Sequence, residues 1–428
     1  MTLDQAPSLD VDPLIDDPTT RIIVCCGAGG VGKTTTAAAL GLRAAERGRK
    51  VVVLTIDPAR RLAQSMGIDS LDNTPRQVKD LDGDGGGGEL HAMMLDMKRT
   101  FDEIVEAHAD PERAEAILNN PFYQSLSAGF AGTQEYMAME KLGQLRARDE
   151  WDLIVVDTPP SRSALDFLDA PKNLGSFLDG KFIRVLMAPA KVGGRAGMKF
   201  LNVGMSVMTG TLGKLLGGQF LKDVQTFVAA MDTMFGGFRT RADATYRLLQ
   251  APGTAFLVVA APERDALREA AYFVERLAAE EMPLAGLVLN RVHGSGAARL
   301  SAERALAAAE NLAEPRIVDQ GAGKEELRNS PDSTASSPTP AGSPTSADDP
   351  EAQQPSEAQQ LAAGLLRLHA ERMQLLAREQ RTRDRFTALH PEVPVTEVAA
   401  LPGDVHDLAG LRDIGDRLAS GDRPAGAA

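Results

Sequence analysis

One run of eight residues limits the fold more than anything else in the chain. Gly27-Ala28-Gly29-Gly30-Val31-Gly32-Lys33-Thr34 fits G-x-x-x-x-G-K-[ST]. It lies between an apolar run, RIIVCC at 21–26, and an alanine-rich stretch from Thr34 to Arg47. A short continuous apolar run is the pattern of a strand buried on both faces, and the alanine-rich stretch reads as a helix. VVVLTI at 51–56 completes a βαβ unit, which calls for a parallel sheet. Strand, glycine loop and helix in that order are the context the motif requires. The glycines let backbone N–H groups converge on phosphates, and the helix N-terminus adds positive potential. Gly27, Gly29, Gly30, Val31, Gly32, Lys33, Thr34 and Thr35 are therefore the expected nucleotide-binding residues. Lys33 should reach the β- and γ-phosphates, and Thr34 should ligate Mg²⁺.

Further strand candidates are LHAMML (90–95), DLIVVD (152–157), AFLVVAA (255–261), LAGLVLN (284–290) and PVTEVAA (394–400), most of them separated by helical stretches. The fold class expected is α/β, a P-loop NTPase with a mostly parallel central sheet flanked by helices and an inserted helical subdomain. The organisation reads as a disordered segment at 1–20, a first part of the core at 21–171 and a helical insert at 172–250. A second part of the core follows at 251–328. A disordered acidic insertion at 329–360 carries six prolines and no large apolar residue. Helices and the last strand complete the core at 361–420, before a tail at 421–428. Leu361, Leu365, Leu368, Leu375 and Leu376 recur at helical spacing, and a glycine-rich stretch at 82–88 reads as a flexible loop. In the insert, Leu216, Phe220, Val224, Phe227, Met231 and Met234 make one apolar stripe along a helix.

Two acids end apolar strands. Asp57 follows the second strand in Ile56-Asp57-Pro58-Ala59-Arg60. A carboxylate there can orient or deprotonate a water, and an Asp before Pro is also a common helix start. Asp157 ends DLIVVD, the usual place of a second acid in P-loop ATPases, reaching Mg²⁺ directly or through water.

Composition narrows the classes. The net charge is −13, and ten of those charges sit in 1–20 and 329–360, so a basic nucleic-acid-binding face is not expected. The two cysteines, Cys25 and Cys26, are adjacent, which excludes a disulfide-built fold and a cysteine-held iron–sulfur cluster. The N-terminus has no apolar h-region, and the longest apolar span, Phe200 to Gly213, is too short to cross a bilayer. The expectation is a cytoplasmic protein with no stable membrane insertion, and with at most transient membrane contact.

The phosphate loop, DPARRL at 57–62 and DTPPSRSALDFL at 157–168 together resemble the ArsA-type ATPases. These include the arsenite-pump ATPase and the eukaryotic targeting ATPase for tail-anchored membrane proteins. LNRV (289–292) and LPGDVHDLAGLRDIG (401–415) resemble that family's adenine-side elements. The resemblance implies ATP as the nucleotide and a dimer whose halves close around it. It gives Asp57 the attacking water, makes Asp157 the sensor of Mg²⁺ and the γ-phosphate, and puts Asn290 at the adenine amino group with Pro402 nearby. It also implies a methionine-rich groove for a hydrophobic helix in 172–250, where Met187, Met198, Met205, Met208, Met231 and Met234 stand.

The sequence departs from the family in three ways. The signature lysine that reaches the opposite subunit is replaced by Ala28. The chain is thus expected to act either as a homodimer with another cation (Arg60, Arg61 or Arg162) or as a heterodimer with a lysine-bearing paralogue. Actinobacterial members that occur as paired, non-identical subunits are its nearest likeness. No separated cysteines are present for a metalloid site, and no CxxC for a zinc clip. Two alternatives stand beside the ATPase switch: an ATP-binding regulatory subunit with little turnover, favoured by Ala28, and a positioning ATPase of the ParA/MinD kind.

Overall fold

The computed structural model describes residues 7–57, 61–79, 81, 87–126, 133–159, 223, 227, 237, 240–313 and 355–421. The methionine-rich part of the insert, residues 329–354 of the acidic insertion expected at 329–360 and most of the glycine-rich stretch at 82–88 lie outside them; the end of that insertion corrects the expectation, because a reciprocal cap between Ser356 and Gln359 starts a helix at Glu357.

Among the described residues, eight strands form one sheet: β1 (Ile22–Gly27), β2 (Lys50–Thr55), β3 (Arg76–Gln77), β4 (Glu89–Met94), β5 (Leu153–Asp157), β6 (Thr254–Ala260), β7 (Leu284–Val292) and β8 (Val395–Ala399). Their spatial order is β3-β4-β2-β5-β1-β6-β7-β8. Every pair is parallel except β3 with β4. The seven parallel strands correspond to the seven apolar runs. β3, two residues at the edge, has no such run to announce it. Residues of β1, β5 and β6 are buried throughout, as a sheet covered on both faces requires.

The described helices before β5 are α1 (Val11–Asp16), α2 (Lys33–Glu46), α3 (Arg61–Ser65), α4 (Met97–His108), α5 (Pro111–Leu118), α6 (Pro121–Leu126) and α7 (Thr133–Arg148). A helical stretch at 240–250 leads into β6. α8 (Arg264–Ala279), α9 (Ala302–Ala313), α10 (Glu357–Leu389) and α11 (Leu408–Ser420) follow. Among the described residues no helix is long and apolar enough to cross a membrane. The chain divides into two compact units. The first holds the sheet. The second spans 294–378, where His369 Nε2 lies 2.8 Å from the Leu300 carbonyl and Arg372 donates to the Gly294 carbonyl.

The N-terminal segment corrects an expectation. Residues 1–20 were expected to be disordered, yet 7–20 are folded onto the core. Asp10 caps α1 by accepting from the Asp12 amide, and Val11 and Ile15 are fully buried. Leu9 donates its amide to the Val395 carbonyl. Two of the acids that made the segment look unfoldable are paired: Arg43 of α2 grips Asp12 through two bonds of 2.6 and 2.8 Å, and Arg47 pairs with Asp16. These contacts hold both carboxyls below their ordinary range. Apolar residues at i and i+4 supply the burial, and the arginines remove the charge that opposed it.

Candidate functional site

The glycine loop turns at the carboxyl end of β1, beside the carboxyl ends of β5 and β2, where open α/β sheets bind ligands. Gly27 has φ 147°, and a Cβ there would come within 2.1 Å of the Val259 carbonyl oxygen, so only glycine fits between β1 and β6. Gly29 and Gly30 form the exposed crest, and Val31 is buried beneath it. α2 begins at Lys33 with no side-chain cap; its first N–H groups are left to a ligand. Lys33 is buried and donates to the Ala28 carbonyl at 2.7 Å. Burial pulls its pKa down against the pull of Asp157.

Asp157 is completely buried. It pairs in register with Cys25 of β1 and Thr55 of β2. Its Oδ2 accepts from Thr34 Oγ1 and Thr55 Oγ1, both at 2.8 Å. Its Oδ1 is equally buried and has no partner among the described residues. Burial pushes the carboxyl up to about 6, although the two hydroxyls and Lys33 pull the other way. An orphaned carboxylate oxygen beside a threonine hydroxyl is an oxygen donor set for a hard cation such as Mg²⁺. Those residues fit the ion.

Thr55 was not singled out from the sequence. Its hydroxyl donates to Asp157 and accepts from the Asp57 amide at 3.2 Å, so one side chain ties the two acids' strands together. A threonine at a strand's last position is common enough that pattern alone does not mark it. Asp57 sits just beyond β2 and is half-buried. Residues 58–60 and those from 160 onward in the second switch lie outside the described residues, as do the side chains of Arg60, Arg61 and Arg162.

Asn290 stands at a break in β7. Arg291 takes a left-handed φ of 59°, and the pairing with β8 shifts register between Leu289 and Val292. Asn290 Nδ2 donates to the Val31 carbonyl at 2.8 Å, and Oδ1 accepts from the Arg291 amide. A Cβ on Gly32 (φ 95°) would fall 2.2 Å from Nδ2, so the glycine makes room for this brace. Direct hydrogen bonds thus join the loop to Asp157 through Thr34 and to Asn290 through the Val31 carbonyl, and Asp57 is joined to Asp157 through Thr55. Pro402 is exposed in the loop after β8, with no hydrogen bond to the others among the described residues.

Cys25 and Cys26 point to opposite faces of β1; only Cys25 belongs to the core cluster under α2. Both are fully buried, and burial pushes Cys26 up to about 12 and Cys25 well above its ordinary value. Neither offers a thiolate to a metalloid.

Comparison with known proteins agrees with this geometry. ATPase GET3 of Malassezia globosa is 30% identical over 173 residues, 40% of this chain and 49% of that protein. ATPase GET3 of Podospora anserina is 25% identical over 291 residues, 68% of this chain and 78% of that one. ATPase get3 of Aspergillus terreus is 26% identical over 346 residues, 76% and 93% respectively. The chain spans about half the length of the first of these and most of the other two. The anion-transporting ATPase family matches over residues 20–299, which takes in the glycine loop, Asp57, Asp157 and Asn290. A match over well more than half of the sequence, with the phosphate loop, the buried acid and the β7 asparagine meeting at one end of the sheet, establishes that the chain belongs to the ArsA-type, anion-transporting ATPase family.

Proposed function

We propose that the chain is a Mg²⁺-dependent ATPase that works as a cytoplasmic, nucleotide-driven dimeric switch, with a hydrophobic helix or membrane-protein segment as its class of cargo. The observation that carries the Mg²⁺-dependent ATPase in this reading is the orphaned Oδ1 of Asp157, buried between Thr34, Thr55 and Lys33 at the root of the glycine loop, while the dimer, the location and the cargo class rest on the resemblance to the family. An ionised carboxylate is expensive to bury with half its oxygens unpartnered, and a cation or its bound water removes that penalty.

The loop amides and Lys33 bind the phosphates, Lys33 exchanging the Ala28 carbonyl for them. Thr34 Oγ1 and Asp157 would hold Mg²⁺, which would supply neutralisation of the phosphate charge there. Asp57 orients the attacking water and takes up its proton as the bond from the water oxygen to the γ-phosphorus forms and the bond from that phosphorus to the β,γ-bridging oxygen breaks, releasing ADP and inorganic phosphate. Asn290 Oδ1 keeps a second lone pair for the adenine amino group, and Pro402 flanks the base.

A second reading is favoured by Ala28. It is buried, its carbonyl is taken by Lys33, and it supplies no cation to an opposite subunit. In this reading the chain binds ATP and turns it over only beside a lysine-bearing paralogue. Steady-state Mg·ATP hydrolysis across protein concentration, with Lys33→Ala as blank, decides between them. Turnover that rises per subunit with concentration and vanishes in the blank means a self-sufficient homodimer. ATP binding without turnover means one half of a heterodimer, and no ATP binding removes both readings.

A further inference from the structure

The Ile56–Asp57 peptide is held at both ends. Its N–H, on Asp57, donates to Thr55 Oγ1 at 3.2 Å. Its C=O, on Ile56, accepts from Gln134 Nε2 at 2.9 Å. The Ile56 amide in turn donates to the Asp157 carbonyl at 3.0 Å. Two of these bonds come from the sheet itself. The third comes from outside it, from the first turn of α7.

α7 is a firm base for such a donor. Tyr136, Met139 and Leu142 are buried. Glu140, also buried, accepts from the Tyr136 hydroxyl at 2.9 Å and from Arg241 Nε at 2.6 Å. Lys141 has a side chain only 5% exposed and pairs with Glu103 of α4 at 3.0 Å. Ion pairs this deep are lost only if the helix leaves its seat, because removing one partner strands a buried charge. Gln134 is therefore an amide on a fixed arm.

A peptide plane pinned at N–H and C=O cannot swing, and the plane sets where the next side chain starts. Here the next side chain is Asp57. A group that must aim at a water gains from such fixing, since small misplacements of a catalytic group lower the rate steeply. We infer that Gln134 is a positioning residue for hydrolysis, acting through the Ile56 carbonyl to aim Asp57. This rests on the proposed role of Asp57, and it adds a component that comes from α7 and not from the nucleotide-binding motifs.

The test uses the full chain in whichever assembly turns ATP over. Gln134→Met keeps the reach and removes the donor; Gln134→Glu sets an acceptor against the Ile56 carbonyl. The expected order of kcat is wild type, then Met about tenfold lower, then Glu lower still. KM for ATP, the affinity for a fluorescent ATP analogue and the thermal midpoint stay within error of wild type in Gln134→Met. Gln134→Lys, which restores an N–H donor, regains most of the rate. Amide hydrogen exchange gives a readout independent of turnover: the Asp57 N–H exchanges faster in Gln134→Met, while amides of α7 do not change.

An unchanged kcat in Gln134→Met, or a loss that follows KM and thermal midpoint together, overturns the inference. Unchanged exchange at Asp57 does the same. Asp57→Asn separates the two levels. If it abolishes turnover while Gln134→Met is normal, only the inference fails. If Asp57→Asn turns over normally, the reading of Asp57 fails and this inference fails with it.

Discussion

At the scale of single residues, Asp157 places stability and function in opposition. Its carboxyl is raised to about 6 from an ordinary 3.8, chiefly by burial. A carboxyl raised on folding contributes stability that is full below about pH 4 and is lost as pH rises through about 6. Two pH units correspond to about 3 kcal/mol, so the nucleotide-free protein should lose that order of stability between pH 4 and pH 7. Asp157→Asn removes the ionisable group while leaving an oxygen for Thr34 and Thr55. We expect the variant to melt higher than wild type at pH 7.5, to lose that advantage near pH 4, and to hydrolyse no ATP. Thermal melts of both proteins at the two pH values, without nucleotide, check it. A lower midpoint at pH 7.5 would falsify the account of Asp157 as a destabilising buried charge.

At the scale of elements, the parallel strands were legible because continuous apolar runs of five to seven residues have few other uses. The features that aim the site were not. The register break that turns Asn290 toward Val31 is a left-handed φ at Arg291, a residue type that gives no warning of it, and the two bonded residues are 259 positions apart. α1 was hidden because five aspartates outweighed Val11 and Ile15, and the arginine partners of Asp12 and Asp16 lie far along the chain, on α2 and at its C-cap. In α10 the expected leucine stripe is helical, but its outer members face solvent: Leu361 is 67% exposed, Leu365 59% and Leu368 63%. Changing Leu365 or Leu368 to Glu should shift the thermal midpoint by less than about 2 °C, as for exposed sites generally. A larger drop means that something covers the stripe in solution. The far end of the same helix behaves oppositely. Arg383 and Glu397 of β8 form a buried pair at 3.2 Å, with side chains 2% and 4% exposed. Burial raises the Glu397 carboxyl even with Arg383 beside it. Arg383→Met should destabilise by about 3–5 kcal/mol, because it strands that acid. Adding Glu397→Gln should recover most of the loss in a denaturant titration; no recovery would place the effect in packing and not in charge.

At the scale of the whole molecule, the phosphate loop and the two candidate acids could be located from the strands they end or follow, whereas Asn290 was marked only by the resemblance to the family. The assembly they serve was not, because Ala28 withholds a cation and a single chain cannot say who supplies it. The geometry limits the answer. Lys33 is committed to its own loop, bonded to the Ala28 carbonyl and buried, so it is poorly placed to act across an interface. If a lysine-bearing paralogue completes the site, its contribution resembles that of an arginine finger, which is worth a factor on the order of 10³–10⁵. Titrating such a paralogue into this chain should then raise ATP turnover by about 10³, with a break at one partner per chain. Three variants fix the direction of the gift. Changing the partner's signature lysine to Ala should cancel the rise without preventing association. Lys33→Ala here should silence this chain's site alone, leaving the partner's own. Ala28→Lys should let this chain turn ATP over by itself, with a per-subunit rate that climbs with concentration. A break at any other ratio, or a rise that survives loss of the partner's lysine, would mean that the cation arises within this chain, and the heterodimer would lose its physical reason.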